Sequence, residues 1–141
     1  MDQAAIMTEE EIHDFGTEIV LGQLKKEGYE IENVSTKIGV NPQIIAKKDG
    51  KLAFIAVRTA CYPEKGEIEE AVHFQMMEHA KKYDATPYFA SVGIANSDGK
   101  TDEEMSVPVR GAGFHVSYKG LLIITDSAHV KIWDENGLRD I

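Results

Sequence analysis

The segment NPQIIAKKDGKLAFIAVRT, residues 41–59, constrains the fold of this chain more than any other part of it. Asp49-Gly50 lies between two apolar runs. Asp-Gly is a strong signal for a two-residue hairpin turn, because both central residues must tolerate positive φ. Pro42 opens one predicted strand, which runs to about Lys47, and Leu52–Thr59 forms the next. The second is the most apolar of the predicted strands, as expected at the centre of a sheet.

The remaining elements arrange themselves around this pair. Thr8-Glu9-Glu10-Glu11 has the form of a capping box. Ile12, Phe15, Ile19 and Val20 recur at helical spacing, with Leu24 near the edge of the stripe, and Gly28 suits the C-cap. A helix over 9–27 is therefore predicted. Tyr29–Ile38 reads as a strand with Tyr29, Ile31 and Val34 inward. Tyr62–Gly66 is a loop. A second helix follows over about 67–83, with Ile68, Val72, Met76, Ala80 and Tyr83 on one face. Pro87 breaks the chain before a buried strand, Tyr88–Ala95. Asn96–Gly113 is a long polar connection with a helical turn near Asp102–Met105. Phe114–Tyr118 and Leu121–Thr125 are strands around Lys119-Gly120, and Val130–Trp133 adds a short last one.

Short connections make the first three strands an antiparallel meander. The second helix is long enough for a crossover to a parallel strand. The expected fold class is α/β, in the sense of an α+β mixed sheet: an αβββαβ core with additional C-terminal strands. At 141 residues, one domain spanning 1–141 has enough chain to bury its own core.

A net charge of −9 argues against generic nucleic-acid binding, which depends on neutralising phosphates. The charge is uneven, however. Residues 1–32 hold nine acids and two lysines, whereas residues 33–58 hold five basic groups and one acid. The hairpin is thus a basic island, with Lys47, Lys48, Lys51 and Arg58 as its nucleic-acid-binding candidates. A solvated strand edge guarded by lysine is the plainer reading. The acidic face offers a surface for a protein partner.

Other chemistry finds less support. One cysteine, Cys61, excludes an internal disulfide and fits a reducing compartment. The start of the chain is not basic and no long apolar stretch follows it, so no signal peptide is expected. The longest aliphatic run, Leu121–Ile124, is far short of a membrane span. These features together predict a cytoplasmic protein. The histidines, at 13, 73, 79, 115 and 129, lack His-x-x-x-His spacing, and His79 falls on the core side of the second helix. Asp98–Asp102 begins like a calcium loop, but Glu103 stands where glycine is needed and Val109 where the bidentate glutamate is needed.

The framework of residues 41–59 resembles the PD-(D/E)xK, or restriction-endonuclease-like, nuclease superfamily, and element order extends the likeness over about residues 9–95. The carrying features are Pro42, the Ile44-Ile45-Ala46 strand, the Asp49-Gly50 turn and Phe54–Thr59. Members commonly carry Pro-Asp at the start of the second strand and Glu-x-Lys on the third. Residues two apart on a strand share a face, so the acid and lysine converge with the neighbouring aspartate. Two carboxylates there can hold Mg²⁺, which activates water against a phosphodiester.

This sequence departs from that pattern at every position. Gln43 stands for the aspartate, Ala56 for the glutamate and Arg58 for the lysine. Glu18 on the first helix, and Gln75 followed by Tyr83 on the second, match further positions of the resolvase-like branches. The resemblance therefore implies a degenerate site with vestigial positions Glu18, Gln43, Ala56, Arg58 and Gln75, no bound metal and no cofactor. The implied protein is non-catalytic and binds a nucleic acid or a protein. Alternatives are an active Mg²⁺-dependent nuclease with ligands displaced to Glu18, Glu30 and Gln43, and a structural subunit that assembles as a homodimer through edge strands or the first helix. Arg58 is expected to pair with Glu18 or Glu30 where it serves structure.

Overall fold

The computed structural model of the protein describes residues 5–35 and 37–125, together with the backbone of two short strands at 131–134 and 137–140. In chain order the elements are α1 (Glu9–Lys26), β1 (Glu30–Val34), β2 (Ile44–Lys48), β3 (Lys51–Cys61), α2 (Glu70–Lys82), β4 (Thr86–Asn96), α3 (Asp102–Met105), β5 (Phe114–Tyr118), β6 (Leu122–Ile123), β7 (Lys131–Asp134) and β8 (Gly137–Asp140). Strands β1 to β5 lie side by side in that order, β6 also pairs with β4, and β7 and β8 form a two-stranded hairpin. The β1–β2 and β2–β3 pairs are antiparallel, and β3 runs parallel to β4 from Ala53↔Thr86 to Cys61↔Ile94. The architecture is the mixed sheet with an αβββαβ core that the sequence predicts.

Helix α1 begins and ends as its sequence dictates. Thr8 Oγ1 accepts the Glu11 N–H at 3.2 Å, and Glu11 Oε1 accepts the Thr8 N–H at 3.0 Å. At the other end Gly28 takes φ 92°, the Tyr29 N–H reaches the Leu24 carbonyl at 3.0 Å, and the Gly28 N–H reaches that of Lys25 at 3.2 Å. This is a Schellman termination. The buried stripe is rotated from the expected one. His13, Gly16, Thr17, Val20, Leu21 and Leu24 are buried, while Ile12, Phe15 and Ile19 pack at the margin. Gly16 explains the rotation: a Cβ there would lie 1.7 Å from Thr59 Oγ1, so helix and strand touch through the residue without a side chain.

The turn between β2 and β3 has Asp49 at φ 52° and Gly50 at φ 80°, with Lys48 opposite Lys51. Alternation along β3 then divides the core. Ala53, Ile55 and Val57 join Val20, Leu24 and Ile44 beneath α1, whereas Phe54 and Ala56 join Met76 and Ala80 beneath α2. Each fully buried large aliphatic contributes roughly 1.5–3 kcal/mol, so the larger α1 cluster supplies most of the hydrophobic stabilisation.

Several boundaries differ from expectation. Strand β1 ends at Val34, after a register shift between Ile31 and Asn33, and Val34 is exposed rather than inward. Helix α2 starts at Glu70 with Glu69 at its N-cap, which leaves Glu67 outside it. Tyr83 is exposed, because it follows the last buried turn at Ala80. Strand β3 continues two residues past Thr59. Strands β5 and β6 do not form a hairpin with each other. Both pair with β4, Tyr118 opposite Val92 and Leu122 opposite Phe89, as two pieces of one line broken where Gly120 takes φ 102°. Val130 and His129 lie outside the described residues, and β8 was not anticipated. Among the described residues, no helix is long and apolar enough to cross a membrane.

Candidate functional site

Gln43 lies just before β2, and its backbone N–H still bonds the Ile55 carbonyl at 3.0 Å. The alternation that sends Ile44 toward α1 sends Gln43 to the other face, which it shares with Ala56 and Arg58. The glutamine is fully buried, 0% exposed. Its Oε1 accepts the Val57 N–H at 2.7 Å and an N–H from Arg58 Nη1 at 3.4 Å. Its Nε2 donates to the Val40 carbonyl and, at 3.0 Å, to Asn41 Oδ1.

Arg58 completes the network. Its Nε donates to Glu69 Oε1 at 3.1 Å and its Nη2 to Glu69 Oε2 at 2.9 Å, a forked ion pair. Nη1 also donates to the Val57 carbonyl at 2.9 Å, and Nη2 to Asn41 Oδ1 at 3.2 Å. The Arg58 side chain is 16% exposed and that of Glu69 59%. Arg58 holds the Glu69 carboxyl below its ordinary range. Strand pairing between β2 and β3 has stopped at Ile44↔Ile55, so Val57 turns its N–H and C=O toward an edge with no strand. Gln43 accepts from the one and Arg58 donates to the other, side chains replacing a neighbouring backbone.

The fold thus brings Gln43, Ala56 and Arg58 together and leaves other expected residues elsewhere. Arg58 pairs with Glu69, not with Glu18 or Glu30. Glu18 is exposed on α1 and takes no part in these bonds. Glu30 sits opposite Lys47, roughly 13 Å along β2 from Gln43 at ordinary strand rise. Glu18, Glu30 and Gln43 therefore do not form a displaced ligand set. Gln75 is exposed but borders a cleft of about 330 Å³ beside His13, Asn41, Arg58 and Glu69. His79 is half-buried, its ring 5.3 Å from Phe54 and 5.1 Å from Tyr83.

His13, Asn41 and Glu69 escaped the sequence reading. His13 is only 7% exposed and its Nε2 has no hydrogen-bond partner. Burial, and then the positive Arg58, push its imidazole below the ordinary 6.5, against a smaller opposing effect of Asp14. The one available signal was its helical register with Gly16, Thr17 and Val20, a stripe of small and polar residues that proved to be the buried one.

The hairpin lysines lie at the other end of the strand pair. Lys47, Lys48 and Lys51 are exposed, and Lys48 Nζ sits 5.1 Å over the Tyr29 ring. Arg58 is seven residues beyond Lys51 on β3, about 23 Å away. The four basic candidates do not form one surface.

The donor set at Gln43, Ala56 and Arg58 does not fit a divalent cation. Such an ion takes six or more oxygen ligands with anionic charge among them. Here one neutral oxygen is already engaged by two donors, the second position is a methyl group, and the third is a cation. Among the described residues, no group of three or more His, Cys, Asp or Glu side chains is placed to hold a metal.

In fold, then, this is a mixed-sheet α+β protein with an αβββαβ core and a polar cluster where β2 ends beside β3. Residues 10–124 match the family described as a domain of unknown function, DUF8840, and the chain belongs to that family. Among solved structures it is similar to Hjc, a Holliday junction resolvase from Archaeoglobus fulgidus. Identity is 16%, 74% of this chain and 75% of that one are covered, and the TM-score is 0.46. No curated protein matches it in sequence.

Proposed function

We propose that this protein is a non-catalytic member of the nuclease-like class and acts by binding a partner. The observation that carries this reading is the Gln43 carboxamide. Its Oε1 is the one atom at the expected aspartate that would meet a metal, and it is engaged by the Val57 N–H at 2.7 Å. A catalytic site needs its ligands free and convergent before the metal arrives. Here they are replaced by a network that closes a strand edge. That donor set supports the reading of a degenerate site that takes no metal cofactor.

The test is calorimetric titration with Mn²⁺ beside a plasmid-nicking assay with Mg²⁺ and Mn²⁺. Wild type is expected to show no ion binding and no nicking. The triple variant Gln43→Asp, Ala56→Glu, Arg58→Lys is expected to bind Mn²⁺, and the three single variants are not. Nicking by wild type that is lost in Glu18→Ala would overturn the proposal.

The partner class follows from the surface. The basic hairpin is exposed, which keeps a nucleic-acid partner in play. Glu30 lies directly opposite Lys47, however, and the chain carries −9 overall, both of which oppose a polyanion. A protein partner is the reading favoured here.

A further inference from the structure

The carboxyl half of β3 has a neighbour on one side only. Its pairing with β4 continues to Cys61↔Ile94, but pairing with β2 ends at Ile44↔Ile55. Residues 56–61 therefore lack a strand on the β2 side, and the first open position, Val57, is satisfied by the Gln43 and Arg58 side chains. Period two places the N–H and C=O of Thr59 and the N–H of Cys61 on that same open side, while the Cys61 carbonyl already accepts the Glu64 N–H at 3.0 Å.

A groove follows this edge. One lobe, about 260 Å³, is bordered by Ile12, His13 and Ile38 together with Arg58, Thr59, Ala60 and Cys61. Consecutive β3 residues, whose side chains point to opposite faces of the sheet, border the same lobe. That arrangement arises at a strand edge, not on a sheet face. The second lobe is the 330 Å³ cleft already described, and His13, Ile38 and Arg58 border both. Helix α1 walls the groove on one face of the sheet and the start of α2 walls it on the other. His13 Nε2 and Thr59 Oγ1 are buried without hydrogen-bond partners beneath it.

We propose that this groove takes an extended peptide segment of a partner protein, which adds as a strand to the open edge of β3 in line with β2. The reading deepens the proposed binding role and rests on it. An open strand edge offers alternating N–H and C=O groups, which a peptide backbone complements and a nucleic-acid backbone does not. The two walls differ in chemistry. Toward α1 the groove presents Ile12, with the exposed Glu9 at its margin, and Ile38 borders both lobes; the two isoleucines suit apolar side chains. Toward α2 it presents Arg58, whose fork already holds the largely exposed Glu69 carboxylate. An acidic side chain of the incoming strand has the chemistry to share or replace Glu69. The expected ligand alternates an apolar residue facing α1 with an acidic one facing α2.

The experiment selects binders to the full chain from a displayed library of random linear peptides and measures the enriched sequences as synthetic peptides. Enrichment of alternating apolar and acidic residues is expected. Ile38→Asp, on an exposed side chain (52%) in the 37–40 connection, should weaken binding at least about tenfold, the loss typical of an interface anchor. Thr59→Pro, which removes an edge N–H, should do the same. N-methylation at alternate peptide residues should abolish binding in one phase and spare it in the other, the mark of strand addition. Peptides indifferent to Ile38→Asp, or to N-methylation in both phases, overturn the proposal. So does a library that enriches nothing, or an oligonucleotide that binds in an Ile38-dependent way. Ile38-dependent self-association in place of peptide capture assigns the edge to a second copy and also overturns it. Nicking by wild type would defeat the non-catalytic reading alone, because the peptide measurement does not depend on it.

Discussion

The two ends of the β2–β3 pair carry similar kinds of residue to opposite effect. At the turn end, Lys47, Lys48 and Lys51 stand in solvent around Asp49-Gly50, with Glu30 across the strand and Tyr29 beneath one ammonium. At the far end, Gln43, Asn41, Arg58 and Glu69 are linked through hydrogen bonds that replace a missing strand. Exposed charges pair weakly because water competes for them. Buried polar groups are costly unless each is satisfied, so a network of them must be complete. One end is therefore a tolerant surface, and the other is a structural joint that borders a groove.

Substitutions should separate these ends by the size of their effects. The largest loss is expected at Gly66, beside Arg58. A Cβ there would sit 1.9 Å from the Arg58 carbonyl oxygen and 2.2 Å from its carbon, both backbone atoms that cannot rotate away. Gly66→Ala should cost about 3 kcal/mol, as overpacking does, read from the denaturant midpoint. Next, Gln43→Ala strips the Val57 N–H of its acceptor in a buried site and should cost about 2 kcal/mol. Gln43→Ala with near-wild-type stability would break the comparison, since the glutamine would then be no joint.

Acid should weaken the network end and not the hairpin end. Burial depresses the folded His13 pKa below 6.5, so the unfolded chain takes up this proton first. The stabilisation is complete above 6.5 and is lost as pH falls below it. Glu69, held low by Arg58, likewise stabilises above its unfolded pKa, near 4.5, and loses that contribution on further acidification. Urea unfolding of wild type and His13→Leu across this range should show the variant with the flatter profile. Parallel profiles would show that His13 is not the acid-sensitive element.

The smallest effect belongs to the hairpin. Changing Lys47, Lys48 and Lys51 to glutamate should shift stability by no more than about 0.5–1 kcal/mol, most of it from the Lys48–Tyr29 contact. The same variant tests the nucleic-acid reading. A gel shift at low salt that fades steeply with salt and disappears in the variant would assign the hairpin a phosphate-binding role. A wild type that shows no shift leaves the turn end as a solvated edge.

The sequence by itself determined the elements whose signals are local. The capping box at Thr8, the termination at Gly28 and the Asp49-Gly50 turn are specified by residues within a few positions of one another, and each formed as read. The order of strands followed from connection lengths, since short loops permit only antiparallel neighbours and a helix permits the parallel one. That Gln43, Ala56 and Arg58 would share a face followed from period-two alternation. What the tertiary structure decided depends on contacts remote in sequence. Arg58 meets Glu69 because the chain turns at 62–66 and returns α2 beside the end of β3. His13 is buried because Gly16 lets α1 settle on Thr59, a pairing across more than forty residues that no periodicity records. The open edge of β3 exists because β2 is five residues long and β3 eleven. A strand's own sequence states what its side chains prefer, but whether a neighbour lies beside its backbone depends on the length and path of another segment.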